Sequence, residues 1–297
     1  MSISRQTLTV VIVTFKSDQV IDDCIQSISN QIKIIVVDNS NDQKFKENIE
    51  KKYQNVNCIL SSKNLGMGSG NNLGLRHVET DFAMILNPDV ILEKNTIQEI
   101  IDVSKKIDSF AILAPLSSDK NYPNYKLNET KADNINDNTY FKVKSVDGFA
   151  MVLNLKKINQ HKSFQNYQYF DENFFMYLEN DDLCKRIIEN GENIYIIKQA
   201  KINHLGAKAV NKKYAHEVEL SRNWHWMWSK FYFNKKHFGF VVAIWKEVPN
   251  FLSSILKYLL YKFLFKNKKK EMYLQRVLGF THAFLGKNSS YRPKINN

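Results

Sequence analysis

A short polar segment, Asn87-Pro88-Asp89, directly follows the apolar run Phe82–Leu86 and is a strong candidate for a site of chemistry. Five consecutive apolar residues predict a strand buried on both faces, as in a parallel sheet. Because Pro88 cannot continue the ladder of hydrogen bonds, the strand ends there and presents Asp89 at its carboxyl end. Open α/β sheets bind their ligands at this edge, where a carboxylate can hold a divalent metal ion and, through it, a diphosphate. The alternative is a plain turn, since all three residues favour turns.

Polar or glycine-rich clusters follow three further predicted strands in the same way. Thr14-Phe15 follows the first strand and Asp38-Asn39-Ser40 the second, where an acid can accept hydrogen bonds from the ribose or base of a nucleotide. The third leads into residues 64–74, whose glycines let the backbone approach a ligand closely. This loop does not match the dinucleotide pattern GxGxxG, and there is no Walker A motif. Each cluster alone is compatible with a turn or a loop, but four on one sheet edge indicate a binding site.

Predicted strands and helices alternate through the first two thirds of the chain and position these clusters. Apolar and β-branched runs predict strands at residues 8–13, 32–37, 56–60, 82–86, 111–114, 146–153 and 194–197. Helical spacing predicts helices at residues 18–29, 45–53, 97–107 and 180–190. This alternation predicts an α/β fold with a doubly wound, mostly parallel (Rossmann-like) sheet. The polar residues 117–144 have no period, and we expect a long surface excursion there.

The charge of the chain is uneven, which separates residues 201–297 from the rest. The net charge is +12, but residues 201–297 hold 19 Lys and Arg against 4 Asp and Glu, whereas residues 1–200 hold 23 against 26. Residues 251–265 interleave leucines and aromatic residues with lysines, and a basic run follows. This stretch is shorter than the roughly 20 apolar residues of a membrane-spanning helix.

This basic region predicts a helix that lies in the headgroup region of an anionic membrane. The alternative is a helix packed on the rest of the protein with its lysines solvated. Nucleic acid is disfavoured as a partner because the basic residues alternate with aliphatic side chains. The three cysteines lie in apolar patterns and predict buried residues of a reducing compartment. Residues 1–6 are polar, and we expect no signal peptide.

Several segments, in order, resemble the inverting glycosyltransferases of family two, and most closely the rhamnosyltransferase-like branch that builds bacterial surface polysaccharides. The resemblance covers residues 8 to about 210 and is carried by VIVTF (11–15), VVDNS (36–40), the loop 64–74, LNPD (86–89), VDGFAM (146–151) and FDENFFMYLENDDLCKR (170–186). It implies a GT-A fold, a nucleotide-sugar donor and a divalent metal ion, Mg²⁺ or Mn²⁺. Asp89 would hold this metal, and Asn87 stands where other members carry Asp.

The resemblance also implies roles for further residues. His204 falls where the family often has a histidine after the last strand, and it would ligate the metal or touch the diphosphate; a lone histidine beside a strand is otherwise more often structural. The donor would contact the residues of the four clusters, namely Thr14, Phe15, Asp38, Asn64, Gly66, Gly70, Asn72 and Asn87.

The acidic cluster Glu179-Asn180-Asp181-Asp182 predicts the start of a helix, where acids are favoured by the dipole and are often only caps. Inverting transfer needs a carboxylate that takes the proton of the acceptor hydroxyl while its oxygen attacks the anomeric carbon. In the family this base is usually the second acid of a Glu-Asp pair, a position that Asn180 occupies here. Asp181 or Glu179 would then take the role, and Asp182 matches a separate family acid.

We therefore predict a GT-A domain at residues 1–210 and a basic, aromatic helical region at residues 211–297 that attaches to a membrane surface. The predicted function is inverting transfer of a sugar, with rhamnose implied, from a dTDP- or UDP-sugar to a glycan or lipid-linked acceptor of the cell surface. The predicted location is the cytoplasmic face of the plasma membrane, as a peripheral protein. The alternatives are an inactive relative that binds nucleotide sugars, a nucleotidyltransferase and a nucleic-acid-binding protein.

Overall fold

The computed structural model of the chain describes residues 2–127, 138–206 and 210–294, which form two compact units. The described residues of Met1–Leu65, Ser69–Asp171 and Asn180–Asn211 form the first unit. Those of Gly66–Gly68, Glu172–Glu179 and Lys212–Asn297 form the second. Two short segments of the first 200 residues thus group with the C-terminal helices, and the domain boundary at residue 210 stays a prediction.

The strands of the described residues, numbered along the chain, are β1 (Leu8–Thr14), β2 (Lys33–Asp38), β3 (Val56–Leu60), β4 (Phe82–Leu86), β5 (Val90–Leu92), β6 (Ile112–Ser117), β7 (Tyr125–Lys126), β8 (Tyr140–Lys142), β9 (Ser145–Val146), β10 (Ala150–Asn154) and β11 (Ile194–His204). The α-helices are α1 (Ile21–Gln26), α2 (Gln43–Lys52), α3 (Gly66–Leu75), α4 (Thr96–Ser104), α5 (Leu155–Ile158), α6 (Glu179–Glu189), α7 (Ala215–Phe238), α8 (Phe240–Phe263) and α9 (Asn267–Phe284). Two 3₁₀ segments lie at Lys162–Tyr167 and Lys212–Tyr214.

One sheet forms the centre of the first unit, in the order β3-β2-β1-β4-β10-β6-β11-β5, with β8 also paired to β11. The pairs β1–β2, β1–β4, β2–β3 and β6–β11 are parallel. β10 is antiparallel to both of its neighbours, β4 and β6. The predicted α/β fold with a mostly parallel sheet is confirmed, with β10 inserted antiparallel near the middle and with β5 and β8 antiparallel to β11.

The parallel strands are continuous apolar runs because both faces of the sheet are covered. Every residue of β1 and β4 is buried, as expected of strands that carry helices on both sides. Helix α3 approaches the sheet through two glycines: an added Cβ would lie 2.8 Å from Val13 Cγ1 at Gly70 and 2.4 Å from Val11 Cγ1 at Gly74. Side chains at these positions would push the helix off the sheet.

Residues 146–153, predicted as one strand, form two strands in different sheets. β9 pairs with β7 and β10 pairs with β4. Between them, the Asp147 N–H donates to Asn124 O at 2.9 Å, and Phe149 O accepts from the Asn87 N–H at 2.9 Å. These two bonds tie the chain to different partners on either side of Gly148. The residues predicted as one strand are therefore divided between two sheets.

The excursion 117–144 is only partly irregular. It contributes β7 and β8, and residues 128–137 of it lie outside the described residues. β11 is longer than predicted and runs from Ile194 to His204, pairing with β6, β8 and β5. Its added length brings His204 to the edge where β4 ends.

The three cysteines are free and buried, as the apolar patterns around them predict. Burial raises the pKa of the Cys58 and Cys184 thiols to about 12, and it raises the pKa of the Cys24 thiol as well. Buried thiols of this kind stay protonated and unreactive.

The second unit contains the long helices α7, α8 and α9. Their aromatic core holds Phe174, Trp224, Met227, Trp228, Phe231 and Phe280. Helices α7 and α9 cross where Gly279 meets Trp224, and an added Cβ at Gly279 would lie 2.1 Å from Trp224 O. Among the described residues, no helix combines the length and the hydrophobicity needed to cross a bilayer.

Candidate active site

Asp89 and His204, the two predicted metal ligands, lie together at the edge where β4 ends. Asp89 is only 3% exposed, and its main-chain oxygen accepts from the Leu205 N–H at 2.9 Å. Asp89 Oδ1 lies 3.4 Å from His204 Nε2 and accepts no hydrogen bond within the described part of the chain. The strand ends at Leu86, as the proline predicts.

The His204 ring is fixed by its neighbours. His204 pairs with Val90 across β11 and β5, and its ring stacks on Phe149 with 4.3 Å between the centroids. Its side chain is 24% exposed, so it reaches solvent whereas Asp89 does not. The pair therefore joins a buried carboxylate to an accessible imidazole.

The pair fits a divalent metal ion that a substrate helps to bind. A buried carboxylate oxygen without a hydrogen bond is costly unless a cation or ligand satisfies it. The residues that the structure describes hold no group of three or more His, Cys, Asp and Glu side chains able to hold a metal. Mg²⁺ is usually bound by one or two carboxylates together with substrate phosphates and waters. Asp89 supplies one such carboxylate, and the His204 ring nitrogen lies beside it as a second donor.

Thr14 and Asp38 meet at the ends of β1 and β2. Asp38 is 2% exposed, and its Oδ1 accepts from Thr14 Oγ1 at 3.2 Å and from the Ser40 N–H at 3.1 Å. Its Oδ2 accepts from the Asp42 N–H at 2.9 Å. This carboxylate therefore shapes the turn after β2. Phe15, half-buried, follows directly, and donor contact by these residues stays a prediction.

Asn72, predicted to bind the donor, has a different position. Its side chain is fully buried, its Nδ2 donates to Phe170 O at 2.8 Å, and its Oδ1 accepts from the Phe170 N–H at 3.0 Å. The amide donor and the amide acceptor of Asn72 thus both bond to the main chain of Phe170. Asn72 thus contributes to the packing of α3, and donor binding by this residue stays a prediction.

The other predicted loop residues divide between the two units. In the first unit, Asn64 is half-buried before α3, and Gly70 lies against Val13 of the sheet, so its need for glycine is explained by packing. In the second unit, Gly66 has φ +79°, and an added Cβ there would lie 2.2 Å from Phe175 O. Gly66 is therefore required for a close approach to the Phe175 main chain.

Asp182, predicted as a catalytic acid, is fully buried in an ion pair. Arg186 Nε lies 2.8 Å from Asp182 Oδ2, four residues along α6. The Arg186 guanidinium also stacks 4.6 Å over the Phe164 ring and donates to Tyr169 O. Asp182 thus anchors α6 by holding Arg186, and a catalytic role for this residue stays a prediction.

The remaining acids of α6 have different surroundings. Asp181 Oδ1 lies 2.7 Å from Lys126 Nζ, and the Asp181 side chain is 15% exposed. Asn180 Nδ2 donates to Val146 O at 2.8 Å. Glu179 is the first residue of α6 and groups with the second unit, where Tyr177 and Leu178 precede it with positive φ of 71° and 65°.

One further carboxylate, Asp147, stands at this edge, in the segment VDGFAM (146–151) that belongs to the family resemblance. It is half-buried between β9 and β10, and the Tyr122 hydroxyl lies close to its carboxylate. Burial raises the pKa of the Asp147 carboxyl and the charge of Asp181 adds to the rise, while Tyr122, Lys126 and His204 oppose it. Tyr122 and Lys126 come from the aperiodic stretch 117–144, where no spacing signal indicates which residues return to the sheet.

Comparison with known proteins identifies the family. Residues 9–180 match the family described as Glycosyl transferase family 2. Over 205 residues the chain is 27% identical to the low-salt glycan biosynthesis hexosyltransferase Agl10 of Haloferax volcanii, a match that covers 63% of this chain and 63% of the relative. The match thus spans less than two thirds of that relative's length.

Solved structures share the fold at low sequence identity. The mannosyltransferase PcManGT of Pyrobaculum calidifontis, in complex with GDP-Man and Mn²⁺, aligns with a TM-score of 0.56 at 10% identity, over 95% of this chain and 88% of that one. TarS 1–349 of S. aureus, in complex with UDP-GlcNAc, aligns with a TM-score of 0.52 at 13% identity, over 95% and 92%. The GT-A fold implied by the sequence motifs is confirmed. The match to residues 9–180 spans more than half of the chain, which therefore belongs to glycosyl transferase family 2.

Proposed function

We propose that this chain transfers a sugar from a nucleotide-diphosphate donor to a hydroxyl of a glycan or lipid-linked acceptor, with inversion at the anomeric carbon. The observation that carries the proposal is the contact between Asp89 and His204 at the carboxyl edge of the sheet, in a chain of this family. The donor is a dTDP- or UDP-sugar, with rhamnose as the sugar, and the acceptor belongs to cell-surface glycan synthesis. The neighbours solved with GDP-Man and UDP-GlcNAc support a nucleotide-sugar donor.

The residues at this edge are arranged to receive the charge of a departing diphosphate. A divalent ion, Mg²⁺ or Mn²⁺, would be held by Asp89 and His204 and would supply positive charge to that leaving group when bound. Phe149 holds the His204 ring, and the bond from the Leu205 N–H to Asp89 O ties the two ligand-bearing segments together. These contacts preorganise the pair, so that little reorganisation is needed during the reaction.

Binding of the donor is expected to raise the melting temperature, and to do so only when the metal is present. At about 100 times its Kd a ligand stabilises the folded protein by about 2.7 kcal/mol, a shift of several degrees for a chain of this size. Differential scanning fluorimetry with dTDP-rhamnose, UDP-GlcNAc and GDP-Man, each with Mn²⁺ or with EDTA, measures this. ATP serves as the control ligand. Equal stabilisation by ATP and by the sugar nucleotides would favour a nucleotidyltransferase.

Helix α8 of the second unit carries an apolar stripe that faces solvent. The exposed residues recur at helical spacing, and Trp245 and Phe263 are each 80% exposed. The stripe consists of Val241, Trp245, Leu252, Leu256, Leu259, Leu260 and Phe263. Soluble proteins rarely leave so large an apolar strip in water without a partner for it.

The charges around this stripe favour an anionic membrane as that partner. Lys246, Lys257 and Lys262 are exposed on α8 beside the apolar residues, and the basic run 266–270 follows. Lysines that flank an apolar face can reach phosphate headgroups while the face enters the acyl boundary, and each contributes about 1 kcal/mol near an anionic surface. We therefore propose peripheral attachment at the inner face of the plasma membrane, where a lipid-linked acceptor is within reach.

The triple variant W245S/L256S/F263S is expected to lose vesicle binding by about 100-fold, because three large apolar side chains no longer enter the lipid. Flotation with phosphatidylglycerol vesicles measures the bound fraction, and phosphatidylcholine vesicles are expected to bind weakly. Leu127→Ser, which alters an exposed leucine of the first unit, serves as the matched control. If the wild type binds neither kind of vesicle but forms dimers, and the triple variant is monomeric, the stripe is an interface between two copies of the chain instead.

A further inference from the structure

We propose that Asp147 is the general base of the transfer reaction, the carboxylate that takes the proton of the acceptor hydroxyl. The inference rests on the proposed glycosyl transfer and deepens it by assigning the base to a residue outside the acidic cluster of α6. It is carried by where the loop of Asp147 lies and by how the other carboxylates at the same edge are engaged.

The loop of Asp147 is attached directly to the predicted leaving-group site. Phe149 O accepts from the Asn87 N–H at 2.9 Å, in the segment that presents Asp89, and the Phe149 ring stacks on His204. The Asp147 carboxylate is close enough to His204 for their charges to interact. A carboxylate two residues before Phe149 therefore stands beside the place where the donor diphosphate would bind.

The other carboxylates of the first unit at this edge are held in other tasks. Asp182 is fully buried against Arg186, and Asp38 accepts two hydrogen bonds from its own turn and one from Thr14 of β1. Asp181 is paired with Lys126 at 2.7 Å. Asp89 faces His204 and fits the metal. Asp147, in contrast, is half-buried, and the neutral Tyr122 hydroxyl lies close to it without neutralising its charge.

The neighbours of Asp147 suit a group that accepts a proton. Lys126 from the segment after β6, Asp181 from α6 and His204 from β11 bring charges near its carboxylate, and the Tyr122 hydroxyl lies close to it. Burial and the negative charge of Asp181 both raise its pKa above the usual value for an aspartate. A carboxylate with raised proton affinity is a better general base near neutral pH than an ordinary surface aspartate.

The proposed step is balanced by the groups named. The acceptor hydroxyl gives its proton to the Asp147 carboxylate while its oxygen forms a bond to the anomeric carbon. The bond between that carbon and the diphosphate oxygen breaks on the opposite face, and its electron pair leaves with the nucleoside diphosphate. The proton then passes from Asp147 to solvent, which its half-buried position allows.

Asn180 offers a way to test the position of the base. An added Cβ at Gly148 would lie 3.1 Å from Asn180 Cβ, so the side chain of residue 180 lies against the loop of Asp147. A carboxylate introduced at position 180 would therefore stand next to the one that Asp147→Asn removes. A gain in rate from N180D that is larger in D147N than in the wild type is an outcome that a merely structural Asp147 would not give.

The experiment compares the wild type with D147N, N180D, D147N/N180D and D181N, and uses D108N, an exposed aspartate of the first unit, as the matched control. Release of nucleoside diphosphate is measured with the donor that gives the largest thermal shift, with an octyl glycoside or water as acceptor. Asp147→Asn is expected to lower the rate by about 100- to 1,000-fold. Donor-induced stabilisation of D147N with Mn²⁺ is expected to persist. The rate of D147N/N180D is expected to be at least about tenfold higher than that of D147N.

The outcomes separate this inference from the proposed function. If D147N keeps its rate within about threefold, or if D181N alone loses activity, Asp147 is not the base although the chain remains a transferase. If D147N loses both the rate and the donor-induced shift, Asp147 binds the donor and the inference is overturned. A wild type that is stabilised by no nucleotide sugar, and releases no diphosphate from one, overturns the proposed function itself.

Discussion

Asp89→Asn is expected to lower sugar transfer by about 1,000-fold or more while leaving the melting temperature unchanged or slightly higher. The loss follows from the role proposed for Asp89, since a group that supports charge on the leaving group acts mainly in the transition state. Removing one such group from an active site commonly costs 100- to 1,000-fold, and the metal would be lost with it. Transfer rate and metal-dependent donor stabilisation are measured together.

The expected stability of this variant follows from the same geometry. Asp89 is 3% exposed, and its Oδ1 accepts no hydrogen bond from the described residues. Burying a carboxylate in this way costs free energy, and His204, 3.4 Å away and partly exposed, offsets part of that cost. Replacing the carboxylate by an amide removes both the buried charge and its attraction to His204, so we expect little net change in the free energy of unfolding.

Asp23→Asn is the matched control for this prediction, because Asp23 is an exposed aspartate of helix α1 in the same unit. It is expected to change neither the transfer rate nor the melting temperature by a measurable amount. Undiminished turnover of Asp89→Asn would remove Asp89 from the mechanism. A fall of its melting temperature by 10 °C or so would show instead that the carboxylate is structural.

Asp182→Ala is expected to destabilise the protein by about 3–5 kcal/mol, because it leaves the Arg186 guanidinium buried without its counter-charge. Asp182 is fully buried, and the Arg186 side chain is 14% exposed. Arg186 also donates to Tyr169 O and stacks on the Phe164 ring. Loss of Asp182 would therefore disturb the segment before α6 as well. Urea unfolding followed by tryptophan fluorescence and circular dichroism measures the free energy of unfolding.

Helix α6 supplies its own control for this second prediction. Lys185 and Glu189 form an ion pair of the same spacing, 2.6 Å long, but Glu189 is 53% exposed. Glu189→Ala is expected to cost no more than about 0.5 kcal/mol, the usual contribution of an exposed pair on a helix. If Asp182→Ala unfolds no more easily than Glu189→Ala yet loses transfer, the assignment of Asp182 as a structural residue is wrong.

Much of the sheet follows from the sequence because its strands are buried on both faces. Residues 8–13 and 82–86 contain only apolar or β-branched residues, and the structure places β1 and β4 there with every residue buried. Pro88 ends β4 for a local reason, the missing N–H. The edge that carries Asp89 and His204 could be predicted since the ends of parallel strands necessarily meet.

What could not be predicted depends on contacts between distant segments. The sequence predicts a ligand-binding amide at Asn72. In the structure, its Nδ2 and Oδ1 both bond to the main chain of Phe170, 98 residues later. The sequence does not distinguish Asp182 from the two acids near it, whereas in the structure Asp182 is the one that is fully buried. Tyr122, which lies close to Asp147, comes from a stretch without periodicity. Period and composition describe a residue's own element, whereas these roles are set by elements that pack against it from elsewhere.

The burial of all three native thiols makes this chain convenient for site-directed labelling. Cys24, Cys58 and Cys184 stay protonated and shielded, so a maleimide reagent finds almost no background in the folded protein. A cysteine introduced as W245C or F263C would then carry an environment-sensitive fluorophore alone. Its emission maximum and its quenching by brominated lipids would report the depth of each end of α8 without any change to the native cysteines.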